Sequence, residues 1–154
     1  AEDVSEEDFR NIARHVSGGV ISDGFSLVPE GVLAEGKHHP RSYGAFPYFL
    51  RHFIRDQQIL TWEEAIHKLT GYAAVRFGLK DRGILREGAW ADLLVFDPET
   101  IGERADFDDP YRYPEGIDTV LVNGVLAVAE GQLQNALAGS ILRGRGSQSA
   151  APRW

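Results

Sequence analysis

Near the start of the chain, apolar residues fall at Phe9, Ile12, Ala13 and Val16, the i, i+3, i+4, i+7 spacing of one helical face. Ser5, followed three residues later by Asp8, approximates a capping box, so a helix is expected from Ser5 until Gly18-Gly19 ends it. Val20-Ile21-Ser22-Asp23 then reads as a very short buried strand, cut off by Gly24. A helix, a glycine turn and a short apolar strand make the αβ step of a parallel α/β fold. One such step cannot cover both faces of its strand. No other convincing βα unit follows, so we expect this step to be the end of a series that begins elsewhere.

Residues 24–45 form a long polar loop with Pro29, Gly31, Gly36 and Pro40, of a length that is usually functional or disordered. Pro47 suits the first position of a helix, expected to run through Phe49, Leu50, Phe53 and Ile54 to about Arg55. Thr61 with Glu64 is a clear capping box before Trp62, Ala65, Ile66 and Leu69. Gly71 interrupts, Tyr72 to Phe77 continue as helix, and Gly78 supplies a left-handed stop.

Beyond Gly78 the period changes to that of strands. Residues 91–97 read as a strand closed by Pro98, and a linker rich in Asp, Pro and Tyr follows over 99–116. Residues 118–122 and 125–129 flank Asn123-Gly124, the pair that favours a type I′ hairpin turn. Gly131 turns the chain again, and 139–154, rich in Gly, Ser and Arg, is expected to be a frayed tail. Three strands are few for independent stability. Both the αβ step and the β-unit are expected to be pieces of larger sheets.

The 154 residues are one domain's worth of chain, with 43% apolar residues to build a core. A net charge of −7 argues against a nucleic-acid partner, and Arg143-Gly-Arg-Gly is too short and broken to change that. No stretch approaches the roughly 20 apolar residues of a membrane span. Without cysteine there are neither disulfides nor thiolate ligands, which is compatible with the cytoplasm, the compartment expected. The chain starts at Ala1 and contains no methionine, which fits the expectation that it is the later part of a longer polypeptide.

Asp23 is the first candidate for chemistry. At the C-terminal end of a barrel strand a carboxylate points into the active site, where it can bind a metal or move a proton. Ser22-Asp23-Gly24 is also readable as a plain turn, which Asp-Gly favours, and local chemistry alone leans to the turn. In His38-His39-Pro40-Arg41 the two histidines would point apart and so are poor ligands for one ion. Arg41 offers a planar fork suited to a carboxylate. Tyr43 could line a pocket, Trp62 is expected in the core, and His52 and His67 on helices are expected at surface or satisfied positions. No phosphate-binding loop, Gly-x-Ser-x-Gly elbow or HExxH is present.

Two segments resemble the amidohydrolase superfamily. Gly83-Ile-Leu85-Arg-Glu-Gly88-Ala-Trp-Ala91-Asp92-Leu-Leu-Val-Phe-Asp97 is similar to the passage by which such chains leave the barrel for a small β-domain, and Val120-Leu-Val-Asn123-Gly124-Val resembles the hairpin that follows. Three further pieces resemble the N-acyl-D-amino-acid deacylases (D-aminoacylases). These are Ser5-Glu-Glu-Asp-Phe-Arg10 before Ile21-Ser-Asp23-Gly24, then His39-Pro40-Arg41-Ser-Tyr43-Gly44-Ala-Phe46-Pro47, and Ala65-Ile-His67-Lys68-Leu-Thr70-Gly71-Tyr-Ala-Ala74-Val-Arg76-Phe77-Gly78-Leu79.

The resemblance implies an α/β fold: the last strand and helices of a TIM barrel over 1–80, strands of a small β-sandwich domain over 81–135, and a tail over 136–154. It implies that Asp23 activates a metal-bound water and passes the proton to the leaving amine, serving as a metal ligand only weakly or at a second site. Arg41 would pair with the α-carboxylate of an N-acyl-D-amino acid. The family's cofactor is zinc, whose main ligands precede the matching stretch and have no counterpart here. The loop between Asp23 and Arg41 is longer than in shorter members. The isolated chain is therefore expected to be inactive and to need a barrel region. A cyclic-amide hydrolase of the same superfamily and a non-catalytic assembly module are the alternatives.

Overall fold

The computed structural model describes residues 4–26 and 28–143. Helix α1 runs over Glu6–Arg14, with Ser5 and Asp8 capping each other's backbone N–H groups. Of its expected stripe, Ala13 is buried and Phe9 stacks on Phe53 at 4.6 Å, while Ile12 and Val16 remain exposed.

Two expectations are corrected here. Val20 to Asp23 does not form a strand, and Ile21 is 82% exposed. A strand exists only through its ladder, and no described segment lies alongside to pair with it. The second correction concerns the helix expected at Pro47, since α2 already starts at Arg41 and spans Arg41–Tyr48 with Pro47 inside. Pro40 is the proline that initiates it: φ is −58° there, and its carbonyl accepts the N–H groups of Tyr43 and Gly44 at 3.0 Å. Pro47 removes one hydrogen bond from the last turn, and the chain continues as a wider π-helical run over Phe49–Asp56.

That run contributes Phe49, Leu50, Phe53 and Ile54 to the core, which Ala13, Ile59, Ala65 and Ile101 complete. Helix α3, Trp62–Leu69, starts at the Thr61–Glu64 capping box. Trp62 packs against the core and lies 5.8 Å from the Phe96 ring. Helix α4, Gly71–Phe77, stops at Gly78 with φ 72°.

Four antiparallel strands follow in the order β1 (Leu93–Phe96), β2 (Ile117–Val122), β3 (Val125–Ala129) and β4 (Gln132–Leu133). Asn123 and Gly124, at φ 51° and 80°, make the type I′ turn. Glu130 and Gly131, at 50° and 71°, repeat it before β4, one strand more than expected. The residues flanking β1 act through their side chains. Asp92 Oδ1 accepts the Asn123 N–H at 2.8 Å, and Arg82 bridges Asp92 to the Asn123 amide. Asp97 turns the chain by accepting from Glu99 N–H at 2.9 Å and Thr100 O–H at 3.0 Å. Only Phe96 and Ile117 of the sheet reach the core; Leu94, Val95, Val125, Leu126 and Leu133 stay exposed.

Residues 139–143 carry no helix or strand, and the rest of the expected tail lies outside the described residues. No helix among the described residues is long and apolar enough to cross a membrane.

Candidate active site

The segment that ends in Asp23 is fastened from behind. Lys68, 8% exposed, sends its ammonium to the carbonyls of His15 at 2.6 Å and Gly18 at 2.9 Å. Its partners are main-chain oxygens at the end of α1, where the helix dipole also favours a cation. One turn on, the Tyr72 hydroxyl donates to the Ser17 carbonyl, and its ring lies so close to Gly19 that a Cβ there would approach within 3.0 Å.

Asp23 itself has φ 48°, in the left-handed region that aspartate tolerates better than most residues. The Gly24 N–H closes the turn on Ser22 Oγ at 3.2 Å. Gly24 then lies on the first turn of α2, where a Cβ would come within 2.8 Å of Ser42 Cα. The Phe25 N–H donates to Ser42 Oγ at 3.2 Å. This docking brings Asp23 Oδ2 to 2.8 Å from Arg41 Nη2. The turn reading of Asp23 is what the backbone shows. The two side chains are 79% and 42% exposed, so the pair adds only about 0–1 kcal/mol to stability. Beside it opens a cleft of about 170 Å³ lined by Gly24, Phe25, Arg41, Ser42, Tyr43 and Phe46.

The loop histidines have aromatic neighbours. His38 lies between Phe25 and Tyr111, at ring separations of 6.3 and 6.1 Å. His39 meets Phe107 edge-on at 5.0 Å, and its Nδ1 accepts the Arg41 N–H at 3.1 Å. Tyr43 sits edge-on to both Tyr111 and Tyr113. Burial and those two phenols push its pKa up, so its hydroxyl keeps its proton. His52 is engaged at the surface by Gln57 at 2.8 Å and stacks on Tyr48, while His67 is exposed beside Gly71. Among the described residues no group of three or more His, Cys, Asp or Glu could hold a metal ion.

Sequence reasoning missed Lys68 as a support of the Asp23 segment, and Phe107 and Tyr111 as an aromatic wall against His38, His39 and Tyr43. The signal for Lys68 was a charged residue at a helix position that faces the core. The signal for the wall was the Tyr-rich stretch of an otherwise acidic linker.

Residues 33–128, well over half of the chain, match the family model described as "Amidohydrolase family". The chain belongs to the amidohydrolase family. Within it, the chain is similar to the N-acyl-D-aspartate deacylase of Alcaligenes xylosoxydans xylosoxydans, 40% identical over 121 residues. That alignment covers 79% of this chain and 23% of the relative. D-aminoacylase of the same organism is 41% identical over 113 residues, 73% of this chain and 23% of the relative. Among solved structures it resembles N-acyl-D-glutamate deacylase from Bordetella bronchiseptica, complexed with zinc and a phosphonate that mimics the tetrahedral intermediate. The TM-score is 0.72 at 35% identity, covering 88% of this chain and 28% of that one. This amidohydrolase chain thus shares the deacylase fold over most of its length and spans about a quarter of the length of these relatives.

Proposed function

We propose that this chain is the C-terminal portion of a metal-dependent hydrolase that deacylates N-acyl-D-amino acids, with Asp23 as general acid/base and Arg41 as the α-carboxylate binder. The observation that carries the reading is the meeting of those two side chains, 18 positions apart in sequence, beside an open cleft that Arg41 lines.

Arg41 presents a rigid fork that matches a carboxylate bidentately and fixes the scissile bond relative to Asp23. A substrate carboxylate takes over the guanidinium, and Asp23 is then released to accept a proton from the attacking water and return it to the leaving amine. Proton transfer by a positioned group of this kind contributes about 10²- to 10⁴-fold in rate.

The residues described here do not fit a zinc site by themselves. Zinc takes three or four protein ligands, and among the described residues no group of three or more His, Cys, Asp or Glu could supply them. Asp23 serves at most as a supplementary ligand. The remaining ligands are proposed to lie in a barrel region absent from these 154 residues. Coverage of only 23% of the first relative's length supports that view, as do the exposed Val16, Ile21, Val75 and Phe77 beside the Asp23 segment and on α4. The isolated chain is then inactive. The specificity test is a substrate panel on the enzyme with its barrel: N-acyl-D-amino acids should be hydrolysed. Preference for cyclic amides would reject the reading.

A further inference from the structure

We propose that Tyr111 is the positioning residue for Arg41, holding the loop that carries the guanidinium so that a substrate carboxylate finds it in place. This rests on the function proposed above.

Tyr111 belongs to the linker between β1 and β2, about 70 positions from the loop it touches. Its hydroxyl lies within hydrogen-bond distance of the Ala34 carbonyl, at 3.1 Å, and of the Gly36 carbonyl. A phenol has one proton, so the two carbonyls share it and the loop is gathered at one point. The ring meets His38 and Tyr43 edge-on at 6.1 and 5.9 Å, residues on either side of Arg41. The linker adds Phe107 against His39, and Glu103 and Ala105 beneath Gly44. His39 Nδ1 receives the Arg41 N–H at 3.1 Å, which ties Arg41's own backbone to the clamped stretch.

The need for such a clamp follows from Asp23. Its carboxylate is the one side chain ion-paired with Arg41 among the described residues, yet Asp23 cannot hold Arg41 and accept a proton at once. Once a substrate separates them, the backbone on either side of Arg41 sets where the guanidinium stands. Tyr111 grips that backbone on the side before Arg41, at the Ala34 and Gly36 carbonyls, and deleting its hydroxyl removes the grip while leaving the ring packing.

Tyr111→Phe is the test, with Tyr113→Phe as control. In the full chain, trypsin cleavage of the Lys37–His38 bond should quicken about fivefold or more in Tyr111→Phe and not in Tyr113→Phe. In the enzyme with its barrel, KM for an N-acyl-D-amino acid should rise about tenfold with kcat within about twofold, the loss expected for one hydrogen bond that positions a charge. KM for the matching N-acyl-D-amino amide, which has no carboxylate, should not change. Tyr111→Phe should also add nothing to Arg41→Ala. Unchanged cleavage after Lys37, or an equal rise in KM for acid and amide, would overturn the proposal. Absence of turnover in the unmutated enzyme would instead reject the deacylase reading and the substrate half of this one, while cleavage still decides whether Tyr111 holds the loop.

Discussion

Arg41 Nη2 stands 2.8 Å from Asp23 Oδ2, across a turn and the first residue of a helix. Both groups are open to water, so their pairing does little for the fold.

Replacing Asp23 with Asn keeps the shape and removes the proton acceptor. In the enzyme with its barrel, kcat should fall by about 10²- to 10⁴-fold with little change in KM. Thermal unfolding should barely move, since an exposed pair is worth about 0–1 kcal/mol. A large drop in melting temperature with kcat intact would point to a structural aspartate.

Arg41→Lys keeps the charge and loses the fork. The expected result is a KM raised about tenfold or more, with a smaller effect on kcat, because a point charge does not orient a carboxylate bidentately. Steady-state kinetics separate the two parameters. Equal kinetics for Lys and Arg would contradict carboxylate binding at this position.

Lys68→Met keeps the aliphatic stem and withdraws the donor from the carbonyls of His15 and Gly18. Two main-chain acceptors then lose a charged partner at a site that is 8% exposed, at a cost of about 1–3 kcal/mol. Chemical denaturation of the full chain reads this directly. Unaltered stability would mean that water replaces the ammonium freely.

The local signals in the sequence were accurate where a few neighbouring residues decide the outcome. Ser5 with Asp8, Thr61 with Glu64, Gly78, and Asn123-Gly124 each act within one turn of chain, and each does what its chemistry requires. Pro47 misled because two prolines competed for the start of one helix, and Pro40 had the free N-terminal position. The expected strand at Val20 to Asp23 misled in a different way, since a short apolar stretch states a willingness to pair and the partner must come from elsewhere. Within the site, Asp23 and Arg41 could be singled out by residue type and motif. Their support by Lys68, Phe107 and Tyr111 depends on contacts 50 to 77 positions apart in sequence, which no local pattern encodes.

Acid should loosen the β-unit. Partial burial pushes the Asp92 pKa up, but the Asn123 N–H and the Arg82 guanidinium pull it down further, to below the ordinary aspartate range. Glu103 behaves alike, burial being outweighed by Arg51, whose Nε donates at 2.8 Å. A carboxyl with a depressed folded pKa contributes stability that is present above its unfolded value and lost as pH falls through the folded one. Denaturation midpoints measured from about pH 6 down to about pH 2 should therefore fall steadily below the ordinary carboxylate range. For Asp92→Asn the midpoint should start lower and converge with the unmutated chain at the acid end. A constant gap between the two would remove Asp92 from the account.

The most direct measurement of the central claim is amine release from N-acyl-D-amino acids, with zinc supplied, by this chain alone and by the chain joined to the barrel region of a related deacylase. The expected results are no turnover by the chain alone, turnover by the joined protein, and its loss in the joined Asp23→Asn variant. Enzyme-level turnover by the 154 residues alone, or a joined Asp23→Asn protein as active as its parent, would contradict that claim.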